Sequence, residues 1–156
     1  MTFRIIDRRT VLRSALLSAT AAPFGDLASS RGYAQGPASM RVGISFNEQT
    51  MAATLEDNPS ARDFASMLPL VGLKIDDYAN NEKISYLPRK LTEEGSGPFG
   101  NERPGDLCYY VPWGNLALFH TGYRWSQGLI RLGHIDGNFD ALLMRGKFPL
   151  RIVSLS

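Results

Sequence analysis

GDLCYYVPWGNLALF, residues 105–119, is the stretch on which the fold turns. Two short apolar runs, one containing Leu107 to Val111 and the other Leu116 to Phe119, flank Pro112-Trp113-Gly114. Pro and Gly punctuate regular structure, so the stretch reads as strand, loop, strand. Tyr109 and Tyr110 are neighbours, so one of the pair faces the core and the other a pocket or solvent. Cys108 sits among these residues as a small buried hydrophobe. It is the chain's single cysteine, which leaves no intramolecular disulfide and no Cys cluster for zinc.

Working outward, the same period recurs. Val42, Ile44 and Phe46 alternate, Asn47-Glu48 is turn-prone, and Met51, Ala53 and Leu55 alternate again, which describes a hairpin with one apolar face. Asn58-Pro59 gives a cap followed by Pro at the first helical position. Ala61, Phe64, Ala65 and Leu68 then follow helical spacing until Pro69 stops it. Val71, Leu73 and Ile75 alternate as a third strand, and "KISYL", "LIRLGHI" and "FPLRIVSL" read as further strands. Asp136-Gly137-Asn138 is a turn, Phe139 to Met144 has room for one or two helical turns, and "EEGSGPFGNERPG" reads as a loop. About eight strands with one clear and one weak helix make a mainly β domain, and closing into a barrel removes the open edges.

The chain opens differently. Asp7-Arg-Arg-Thr-Val-Leu-Arg13 resembles the bacterial twin-arginine export motif through Arg8 and Arg9. A mildly apolar centre, Val11 to Ala22, is too short for the roughly 20 apolar residues of a membrane span. Gly32-Tyr33-Ala34 then offers small residues for cleavage before Gln35. The expected organisation is a signal at 1–34, a linker at 35–39 and one domain at 40–156, placed in the periplasm or secreted. Of 17 basic and 15 acidic residues, five and two fall before residue 35, leaving 12 and 13. The basic balance therefore belongs to the signal, and no charge run remains to grip nucleic acid through phosphates.

"ARDFASMLPL", "DDYANNEKISYLPRKL", the 105–119 stretch and "GLIRLGHIDG" together resemble the bacterial cyclophilin-like family from about Met40 onward. The resemblance implies a closed eight-stranded antiparallel barrel with a short helix over each open end. Cyclophilin isomerases hold a proline among apolar and aromatic side chains while an Arg donates to the prolyl nitrogen. That hydrogen bond strengthens as the amide twists and its nitrogen becomes basic. Their F-H-R run has no counterpart here. The "KISYLPRKL" segment supplies Tyr86 and Arg89 instead, and Gly114 to Phe119 stands where the enzymes carry G-S-Q-F-F.

Two readings follow from different classes. One is a binding module that holds a small molecule or extended peptide on an aromatic edge formed by Tyr86, Tyr110, Trp113, Asn115 and Phe119, without catalysis. The other is a divergent peptidyl-prolyl isomerase of exported proteins, with Arg89 as the electrophile. Glu82 reads as solvated. His120 and His134 have no carboxylate or nucleophile at triad spacing, and neither G-x-S-x-G nor a Walker loop occurs, so hydrolase and nucleotide-binding readings fall away. No cofactor and no metal ligand set is expected.

Overall fold

The computed structural model describes residues 39–156, so the expected signal and almost all of the linker lie outside the described residues. β1 (Arg41–Phe46) and β2 (Gln49–Leu55) form the expected hairpin. Its turn residues, Asn47 and Glu48, both take left-handed backbone angles, φ 46° and 62°. That is the two-residue turn whose twist matches the strands it joins. α1 (Pro59–Ser66) starts where Asn58 Oδ1 accepts the Ala61 N–H at 2.8 Å and ends just short of Pro69. It presses Ala61 and Phe64, both fully buried, into the core.

Six strands follow: β3 (Leu70–Tyr78), β4 (Glu82–Tyr86), β5 (Asp106–Tyr110), β6 (Asn115–Phe119), β7 (Leu129–Ile135) and β8 (Phe148–Leu155). A single 3-10 turn, Asp140–Leu143, precedes β8 and buries Leu142. The strands close in the order β1-β2-β7-β5-β6-β4-β3-β8, every pair antiparallel, so the barrel has no free edge. α1 follows the Leu55 end of β2, whereas the 3-10 turn lies near the opposite end of the hairpin, where Asn47 Nδ2 reaches Met144 Sδ.

The alternation of Val71, Leu73 and Ile75 does not run through. The pairing of β3 with β8 shifts between Val71 and Leu73, at Gly72 with φ +81°. This bulge turns Val71 out to solvent while Leu70 and Ile75 stay in the core.

Two apolar clusters result. The larger fills the barrel with Ile44, Leu107, Tyr109, Leu116, Leu118, Leu132 and their neighbours. The smaller lies on the barrel's outer face, where Cys108, Ala117, Phe119 and Leu129 are covered by Phe99, Tyr110, Tyr123 and Trp125. β6 is consequently buried on both faces, all five residues of it. At one end of the inner core, Lys83 is fully buried, with Nζ 2.8 Å from Asp77 and its charge over the Phe46 and Phe148 rings. No helix among the described residues is long and apolar enough to cross a membrane.

Candidate functional site

Cross-strand partners share a face of the sheet, so register alone arranges the outer face of β4, β6 and β5 in rows. Tyr86, Asn115 and Tyr110 form one row, Ile84, Ala117 and Cys108 the next, and Glu82 and Phe119 the third, which β3 extends with Tyr78. Above these rows opens a cleft of about 300 Å³. Ile84, Ala117 and Leu129 line it low down.

One wall is aromatic and half-exposed. Trp113, 45% exposed in the β5–β6 turn, meets Tyr78 edge to face at 5.1 Å and Tyr110 at 5.6 Å. The opposite wall comes from the segment after β6. The Tyr123 ring stacks on Phe119 at 3.7 Å and 5°. Its hydroxyl donates to Asp106 Oδ2 at 2.7 Å. Burial, with Cys108 and Asp106 beside it, pushes the Tyr123 pKa far up, so the hydroxyl remains a donor. Asp106 is itself buried and also gathers the Arg103 N–H, His134 Nδ1 and Arg131. This knot holds the wall against the barrel.

Of the residues expected from the sequence, Tyr110, Trp113, Asn115 and Phe119 are brought together in this cleft. Tyr109 of the Tyr pair points inward instead and accepts the Leu91 N–H through its hydroxyl. Tyr86, 57% exposed, does not line the cleft; it borders a separate recess beside Lys74, Asp76 and Lys147. Arg89 lies elsewhere. Its guanidinium grips Asp63 of α1 with two hydrogen bonds, at 2.6 and 3.1 Å, and reaches Ser66 Oγ. The Arg89 pair also holds the Asp63 carboxyl below its ordinary range. The guanidinium that does line the cleft is Arg124, exposed on the covering segment.

Glu82 departs from its expected solvated state. It lines the cleft, makes no ion pair among the described residues, and is pushed up to about 7 by burial. Asn115 is 1% exposed; its Nδ2 donates to Leu116 O, while Oδ1 has no partner among the described residues. Buried acceptors of this kind are uncommon and call for an explanation. Cys108 is inert by the same logic, its thiol pushed up to about 12 by burial. Neither histidine lines the cleft.

A model described as the Cyclophilin-like family matches residues 44–153. The chain belongs to the cyclophilin-like family. The solution structure of a hypothetical protein from Archaeoglobus fulgidus superimposes on this cyclophilin-like domain with a TM-score of 0.61 and 16% sequence identity. The alignment covers 77% of this chain and 98% of that one, a likeness of fold. No match is found among curated proteins.

Proposed function

We propose that this cyclophilin-like domain is a noncatalytic binding module that holds a small molecule or a short extended peptide in its outer-face cleft. The observation that carries the reading is the cleft's composition: an apolar floor, aromatic walls on both sides, and at one end a buried Asn115 carbonyl with no donor among the described residues. Concave, mainly apolar sites with a few fixed polar groups are where small ligands bind. The walls are held by strand register and by the Asp106 knot, so little ordering remains to oppose binding.

An NMR screen of small aromatic and amide fragments tests this. The two tryptophans provide separate indole signals: Trp113 stands in the cleft wall, while Trp125 Nε1 donates to Leu129 O at 3.0 Å and lies outside the lining. Fragments that bind should move the Trp113 indole and leave Trp125 nearly still. Hits that map away from Trp113 contradict the proposal.

The second reading, a prolyl isomerase acting on exported proteins, is favoured by one observation, the Arg124 guanidinium on the cleft. Arg89, committed to Asp63, is poorly placed for that role. In a protease-free isomerisation assay a binding module gives the uncatalysed rate. A catalysed rate that Arg124→Ala abolishes, with proline-peptide affinity falling much less, would favour the enzyme instead.

The setting proposed for either activity is beyond the cytoplasmic membrane, on the strength of Arg8-Arg9. Replacing both by Lys should leave the precursor in the cytoplasm on fractionation; maturation at the wild-type level would contradict export by the twin-arginine route.

A further inference from the structure

Resting on that reading of the cleft, we propose that its ligand is an organic ammonium ion, a protonated primary or secondary amine carried on an apolar or aromatic body, with the nitrogen seated at Glu82.

Three observations converge. The first is that Glu82 is a carboxyl without a partner. It stands in the outer row between Tyr78 and Phe119 and makes no ion pair or side-chain hydrogen bond among the described residues. A half-buried carboxylate that nothing neutralises is costly, and a ligand cation with N–H groups would repay that cost. The second is the surround. Tyr78, Tyr110 and Trp113 on one side and Phe119 and Tyr123, stacked on each other, on the other line the same space. Aromatic faces carry negative potential and attract desolvated cations.

The third concerns the remaining charge on the lining. Arg124 shares the lining, but it is exposed on the covering segment and makes no ion pair with Glu82 among the described residues. Arg124 acts instead on Glu102, whose carboxylate is held down first by the Trp125 N–H and in part by Arg124. Glu82 is thus left without an ion-pair partner among the described residues.

Asn115 marks the other end of the cleft. Glu82 pairs with Phe119, and Asn115 lies four residues along β6, about 13 Å at strand rise. One nitrogen cannot serve both acceptors. The ammonium therefore takes Glu82, the body lies over Ile84 and Ala117, and a second N–H, where the ligand has one, is directed toward Asn115.

The test is an NMR titration of the full chain at pH 8, following the Trp113 indole with phenethylammonium and with its neutral isostere 2-phenylethanol. The ammonium should bind about tenfold more tightly than the alcohol. Glu82→Gln should erase that preference, with an unmoved Trp125 indole reporting an intact fold. Equal affinities for the two probes, or a preference that survives Glu82→Gln, would overturn the ammonium assignment while the cleft reading stands. If neither probe nor any neutral fragment moves Trp113, both fall.

Discussion

At the scale of the residue, Glu82 makes the sharpest statement. Its carboxyl is raised to about 7, so the folded domain keeps a proton there over a range of pH in which the unfolded chain, with an ordinary Glu, has lost it. The contribution to stability is full below about 4.5 and is lost as pH rises toward 7. His120 acts in the opposite sense: burial, then Arg145 and Lys83, hold its pKa down, so its contribution grows as pH rises toward the ordinary histidine value. Comparing the protein with Glu82→Gln isolates the first effect. Across pH 4.5 to 7 the wild type should lose stability relative to the variant, measured by urea denaturation; parallel curves would show that Glu82 is solvated after all. The sequence hid this residue because its burial comes from Tyr78, Phe119 and the covering segment around Tyr123, which only closure of the barrel brings together. The pairing of Arg89 is hidden in the sequence for a related reason. Its partner Asp63 sits on α1, and no local pattern couples that helix to the chain after β4.

At the scale of the element, most of the strands were legible because their apolar residues alternate or run continuously. The continuous run Leu116 to Phe119 also held a further signal: a strand without alternation is covered on both faces, and β6 is. Leu118, 1% exposed, points into the barrel, and Leu118→Ala should cost about 2 to 5 kcal/mol in chemical denaturation. A change under about 0.5 kcal/mol would place the side chain at the surface. Gly72 shows what alternation misses, since one bulge reverses the facing of Val71. Gly133 in β7 is another position with no forewarning in the pattern. A Cβ there would run into the Thr54 carbonyl oxygen, with Leu55 Cα 2.9 Å away, both backbone atoms of the neighbouring strand. Gly133→Ala should therefore lower the melting temperature by several degrees by prising β2 from β7. An unchanged melting temperature would mean that the strands separate without cost.

At the scale of the whole molecule, eight antiparallel strands form a closed barrel whose family membership fixes the fold and leaves the function to the site. The larger apolar cluster fills the interior; the cleft lies outside it, where the β5–β6 turn and the segment after β6 fold back over the sheet. Four of the five residues expected on an aromatic edge meet in this cleft because they share the β5–loop–β6 stretch, where neighbours in sequence stay neighbours in space. Tyr78, Glu82, Tyr123 and Arg124 come from other segments, so their convergence waits on the fold. The most direct test of the central claim is the affinity of Trp113→Ala for whichever small ligand or peptide the wild type binds. Trp113 is half-exposed and its ring contacts are worth about 1 kcal/mol, so the variant should stay folded, with the Trp125 indole unmoved, and bind nothing. A folded Trp113→Ala variant that binds with wild-type affinity would contradict the account.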